Sequence, residues 1–268
     1  MPSGNAPLPP ETAVWNGRRV TLYDLSDCLS NETSGFEFNK HEITYLTPEQ
    51  TAAEAFGLDP SYWPDGKALQ AESVTLTTHS GTHVDAPAHY GPAREGRART
   101  IDEVPLSWCF GPGVRLDVRA LDRVAGVTAE DVEAELARIG HELAAGDIVL
   151  VWTGIDLRRA GYEHAHAGLR RDATAYLVER GVRMIGIDAW TVDRAVEVMV
   201  AEAREGTLEQ VLESHMYGRE REYLQIERLA NLDQLPSPTG FTVFAFPFKL
   251  EAASASWTRV VAVGDEGK

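Results

Sequence analysis

Cysteine is scarce: two residues, Cys28 and Cys109, in 268. That number excludes a disulfide framework, and their spacing excludes a zinc pair. There is no run of Lys or Arg. Basic groups total 25 against 41 acidic ones, a net charge of −16. Nucleic-acid binders and proteins that dock on anionic membranes need concentrated positive charge, so both partners are set aside. No segment approaches the roughly 18 unbroken apolar residues of a membrane span. The first ten residues, MPSGNAPLPP, lack the basic and apolar regions of a secretory signal. A soluble, reducing, cytoplasmic setting is the expectation, with a small molecule as partner.

What is present is an ordinary apolar fraction, 43%, in a chain long enough to bury a full core. Residues 1–18 are rich in Pro, Gly and Asn and read as a loose arm, leaving 19–268 as one domain. Arg19 to Ser26, Ser73 to Asp85 and Gly113 to Arg119 read as strands. Ile148 to Trp152 and Met184 to Ile187 are short apolar runs that fit buried strands. Phe241 to Leu250 and Trp257 to Val263 add two more. Helices are expected at Pro48 to Phe56, from Thr128 onward, and over 173–180, 194–204 and 208–216. Thr128, with Asp131 three residues on, has the form of an N-cap. Strands and helices alternate in the middle and strands dominate both ends, which predicts a single mixed α/β domain.

The chemistry concentrates in one segment. Of eight histidines, three fall within His79-Ser-Gly-Thr-His83-Val-Asp85-Ala-Pro-Ala-His89. The offsets from His79 are all even, so an extended strand would set His79, His83, Asp85 and His89 on one face. Four residues of straight strand span about 13 Å, too far for two imidazoles to share a metal at about 2.1 Å each. The chain must bend between them, and Gly81 sits midway. Two imidazoles and a carboxylate suit Zn²⁺ or Mn²⁺, and three protein ligands leave room for a reactive water. His89 is then best used off the metal, as a general base or acid. The alternative is a merely polar strand face, but one face rarely carries four titratable groups without a task.

This motif resembles the signature of the cyclase-like metal-dependent hydrolases, a family that includes bacterial kynurenine formamidases, isatin hydrolases and cyclases of antibiotic pathways. The similarity extends through Gly146-Asp-Ile-Val-Leu-Val-Trp-Thr-Gly154, Ile185-Gly-Ile-Asp-Ala-Trp-Thr-Val-Asp193, and the pair His215 and Glu227, the latter in Ile226-Glu-Arg-Leu-Ala-Asn-Leu. The resemblance implies a swivelling β/β/α fold and a homodimer or larger oligomer. It implies that His79, His83 and Asp85 bind a first metal, that Asp85 bridges to a second held by His215 and Glu227, and that His89 is the catalytic acid/base. One or two ions remain open. The chain is longer than the compact kynurenine formamidases, mainly in 27–72 and 155–172, which favours the isatin-hydrolase-like or cyclase branch. The family's N-terminal aromatic clamp has no clear counterpart in this sequence; Phe36 or Phe38 is the candidate to serve in its place.

Three readings of function follow. The leading one is hydrolysis of an amide, imide or lactone of a small cyclic or aromatic substrate. The second is a cyclase or dehydratase of aromatic polyketide assembly, and the third a non-catalytic metal-binding protein. Among the remaining features, Arg94, Arg97 and Arg99 read as a solvated loop, with a grip on a carboxylate as the alternative. His164 and His166 read as a surface loop, or else a lid or stray metal site. Trp152 and Trp190 wall a pocket or pack in the core, and Cys109 packs.

Overall fold

The computed structural model describes residues 8–36, 40–54, 57–93, 95–156 and 166–265. Its frame is a ten-stranded mixed sheet. Four strands at the centre run parallel: β6 (Phe110–Asp117), β7 (Ile148–Trp152), β8 (Met184–Ile187) and β9 (Leu224–Glu227). Helices bridge them, as parallel neighbours require. α2 (Ala129–Ile139) joins β6 to β7, and α3 (Arg171–Glu179) joins β7 to β8. α4 (Val196–Arg204) and α5 (Glu213–Tyr217) lie between β8 and β9.

The wings are antiparallel. On one side stand β10 (Phe241–Phe244), β12 (Val261–Asp265), β2 (Arg18–Asp24) and β1 (Glu11–Trp15). On the other stand β5 (His83–Asp85) and β11 (Ala255–Trp257). β3 (Glu42–Leu46) and β4 (Ala71–Thr75) form a separate two-stranded ladder, near the short helix α1 (Pro48–Glu54).

Alternation along the central strands divides the core in two. Val149, Val151, Ile185 and Ile187 face α2 and α3, meeting Val132, Leu136, Ala173 and Leu177. Ile148, Leu150, Met184, Leu224 and Ile226 face the other way and pack with Tyr23, Val243 and Ala262 of the wing. Residues that read in sequence only as uniform apolar runs therefore serve both faces, as a covered parallel sheet demands. Among the described residues no helix is long and apolar enough to cross a membrane.

The mixed α/β expectation holds, and Thr128 does cap α2 in a reciprocal box with Asp131. Several local expectations do not hold. Glu11–Trp15, inside the segment expected to be a loose arm, pairs with β2. Ser73 to Asp85 is not one strand: β4 ends at Thr75, a turn follows, and β5 starts at His83. The stretch 208–216 is not one helix either. It breaks at Leu212, which adopts a left-handed φ of 51°, before α5 begins. The strand from Phe241 stops at Phe244, and Trp257 to Val263 divides between β11 and β12. In each case tertiary pairing, which a local pattern cannot show, decides the boundary. The last two residues of the helix expected over Pro48 to Phe56 lie outside the described residues.

Candidate metal centre

Gly81 makes the bend that metal sharing requires. Its φ is +63°, a left-handed conformation that glycine adopts without penalty. The turn folds His79 back beside β5, and the His79 and His83 ring centroids are 5.2 Å apart. β5 then lies between β9 and β11, with His83 directly opposite Glu227 and Asp85 opposite Gln225. α5 brings His215 to the same place: its ring centroid is 5.3 Å from that of His89, which in turn is 4.1 Å from that of His79. The six residues singled out in the sequence are thus gathered around one point.

Three of the four imidazoles, those of His83, His79 and His215, have one nitrogen tied outward and the other aimed inward. His83 Nδ1 donates to the Gly81 carbonyl at 2.8 Å, leaving Nε2 facing Asp85 and Glu227 at 3.3 and 3.6 Å. His79 Nε2 meets Ser254 Oγ at 3.3 Å, leaving Nδ1 at 2.8 Å from Asp85. His215 Nδ1 bonds Asp193 Oδ2, leaving Nε2 at 3.8 Å from Glu227. Asp193 is itself buried and accepts the Ser214 amide at 2.6 Å. An outward partner that fixes tautomer and ring orientation is the pattern of metal-bound histidine.

The donor set fits a divalent cation. His83 Nε2 and both carboxylate oxygens of Asp85 are buried with no aligned hydrogen-bond partner among the described residues. Leaving such atoms unsatisfied is costly unless something else coordinates them. Ligand atoms of His79, His83 and Asp85 lie within 4.8 Å of one another, and so do those of Asp85, His89 and His215. Asp85 belongs to both sets. His89 is within reach of the second set, so geometry alone allows it as a ligand as well as an acid/base.

The electrostatics match. Burial opposes charge on His83, but Asp85 and Glu227 outweigh it and push its pKa up to about 9. His215 rises to about 9 in the same way, driven by Asp193 and Glu227 against burial. Burial likewise opposes ionisation of Asp85, yet the surrounding imidazoles hold it well below the usual carboxylate range. Glu227 rises to about 7, first through burial and then through repulsion by Asp85. His89 falls to about 4, through desolvation and its cationic neighbours, so it is neutral at pH 7.

The centre forms the floor of a cavity of about 370 Å³, and His79, His89, His215 and Glu227 all reach it. Trp190, Leu212 and Met216 give it an apolar wall, and buried Tyr90 and half-buried Arg219 also line it.

A family model described as "Putative cyclase" matches residues 23–194, more than half of the chain. The chain belongs to that cyclase family. Its curated relatives include a kynurenine formamidase of Paracidovorax citrulli, 30% identical over 72% of this chain and 79% of that one. An isatin hydrolase of Roseibium aggregatum is 29% identical over 75% of this chain and 78% of its own length. Among solved structures, an isatin hydrolase bound to the product analogue thioisatinate superposes with a TM-score of 0.74 at 24% identity, covering 92% of this chain and 93% of that one. Isatin hydrolase A from Ralstonia solanacearum gives 0.72 at 25% identity, covering 92% of each. The expected family, the mixed α/β fold and the reading of this cyclase-family chain as a metal-dependent hydrolase all hold.

Of the other sequence expectations, some hold and some do not. His166 is not on the surface: it is buried, and its Nε2 lies 2.8 Å from the Asp193 carbonyl, bracing the loop that orients His215. Arg97 pairs with Glu103 and Arg99 with Glu222, both in an adjoining charged groove. Trp152 lines a different cavity, with the guanidiniums of Arg115 and Arg119 over its ring at 4.6 and 3.6 Å, whereas Trp190 does wall the metal-centre cavity. Cys109 is buried, and burial pushes its thiol up to about 11. Phe38, Arg94 and His164 lie outside the described residues, as does the side chain of Phe36. Asp193 and Ser254 were missed because each acts through a partner remote in sequence. Only Asp193 had a local sign, as the acidic end of the Ile185 to Asp193 block.

Proposed function

We propose that this enzyme hydrolyses an amide, imide or lactone carbonyl of a small cyclic or aromatic substrate. The observation that carries the reading is the convergence of five ligand-type side chains beneath a small, part-apolar cavity with His89 at its edge. His79, His83 and Asp85 would hold one Zn²⁺ or Mn²⁺, and His215 and Glu227, with Asp85 shared, a second. Bound there, such an ion supplies Lewis-acid activation of a water and of the carbonyl. Trp190, Leu212 and Met216 receive the ring of the substrate and exclude bulk water. His89, neutral at pH 7, accepts a proton from the attacking water and returns it to the leaving nitrogen or oxygen. Asp193 and Gly81 keep the His215 and His83 rings turned inward while charge moves. A homodimer or tetramer, a cytoplasmic setting and a catalytic domain over 19–268 belong to the same proposal, supported by the family resemblance.

Metal-loaded protein screened against isatin, N-formylkynurenine, small lactones and cyclic imides tests the reading. Turnover of at least one class is expected. His89→Ala should lower kcat about 10²- to 10⁴-fold with metal content unchanged. Full turnover in that variant overturns the role given to His89, and loss of metal makes it a ligand instead. The family's description also favours a second reading, in which the same groups enolise a carbonyl in a cyclase or dehydratase step. Metal-loaded protein that hydrolyses nothing in the panel moves the assignment there.

A further inference from the structure

We propose that Arg219 is an anion subsite of this cavity, and that the substrate carries a carboxylate remote from the bond that is cleaved. The proposal rests on the hydrolase reading of the metal centre and names the substrate class it serves.

Arg219 is half-buried just beyond α5 and lines the same cavity as His79, His89, His215 and Glu227. Its Nε donates to the Tyr90 carbonyl at 2.5 Å. That bond fixes the side chain along the cavity rim and uses one of the five donors of the guanidinium. The next residue gives the terminal nitrogens their room. Gly91 has φ +92°, and a methyl group built on it would lie 2.7 Å from Arg219 Nη2. Only glycine meets both conditions.

Several arginines near Arg219 are neutralised by a partner. Arg97 is paired with Glu103, Arg99 with Glu222 and Arg171 with Glu220. Arg219 has no carboxylate within ion-pair distance among the described residues. It stands where the metal-centre cavity meets a charged groove lined by four arginines, Arg219 included, and four glutamates. A fixed guanidinium with its fork unmatched suits a planar carboxylate, which it can grip through two parallel bonds. The apolar wall of Trp190, Leu212 and Met216 then contacts the body of the same ligand. The scissile carbonyl lies over the metal-ligating floor and the carboxylate lies at the rim.

The test uses matched substrate pairs, amide and lactone, in which one member bears a carboxylate and the other a carboxamide at the same position. Metal-loaded wild type should favour the carboxylate member about 10- to 100-fold in kcat/KM, mainly through KM, the usual worth of a charge-assisted contact. Arg219→Gln should bring that ratio close to one, and Arg219→Lys should keep part of it. Calorimetry with benzoate and benzamide gives a readout separate from turnover: Arg219→Gln should weaken benzoate and spare benzamide. Equal turnover of both members by wild type overturns the proposal, as does a preference that survives in folded Arg219→Gln protein. If that variant does not fold, ionic strength decides. The wild-type preference must shrink between about 0.05 and 0.5 M salt, because the contact is at the rim and screened, and a salt-independent preference overturns it. Failure of wild type to hydrolyse any pair refutes the hydrolase reading instead, while the benzoate comparison still reports on Arg219.

Discussion

Metal loading should be a proton-for-metal exchange. In the metal-free centre His83 and His215 each titrate near 9, so at pH 7 each is protonated about 99 times in 100. A cation needs the neutral imidazole, so binding must expel those protons. Each ion should therefore release about one proton from its imidazole at pH 7. Glu227, near 7, adds up to about half a proton more. Apparent affinity should rise about tenfold per pH unit per ion, or about 100-fold from pH 7 to 9, and then level off. Calorimetry in two buffers of different ionisation enthalpy counts the protons directly. The folded pKa values of both imidazoles lie above the usual 6.5. Their contribution to stability is thus complete below 6.5 and lost as pH rises through 9. Each is worth about 3 kcal/mol, so the metal-free protein should lose about 6 to 12 °C in Tm across that window for one imidazole's share. Heats that do not depend on buffer at pH 7, or an affinity flat between pH 7 and 9, would refute this account of the site.

Three further outcomes are expected. Asp193→Asn removes the charge that orients His215 and should weaken metal binding or activity about 10- to 100-fold, measured by metal titration and by turnover at saturating metal. Gly81→Ala forces a side chain into a φ of +63° and should cost about 1–2 kcal/mol in urea unfolding, with metal affinity falling as the bend relaxes. Exposed Cys28 should react with a thiol reagent at once, whereas buried Cys109, with its thiol raised to about 11, should react only after unfolding.

The motif from His79 to His89 was legible because a metal centre needs several ligand-type residues, and here four of them sit within eleven residues. The need for a bend at Gly81 followed from distance alone. The fold class was legible because buried strands and a capped helix alternate in the middle of the chain. Strand limits were not. β5 is three residues long and exists because β9 and β11 flank it, which no local pattern shows. The break at Leu212 was equally hidden: a leucine in a left-handed conformation is held there by its surroundings, not by its own preference. His215 and Glu227 were found only through the family resemblance, since a single histidine on a short helix and a glutamate at a strand end have no spacing of their own to betray them.

His83 and Glu227 face each other across two neighbouring strands, although most of the chain lies between them. A cation held by both would be a cross-link between the first third of the polypeptide and its last quarter. Like a covalent bridge, it would close a very long loop, and such loops are the slowest to close from the unfolded chain. The ion can then join only after the central sheet has formed. Metal uptake during refolding should therefore mark the final event, and removing the metal should speed unfolding more than it slows folding.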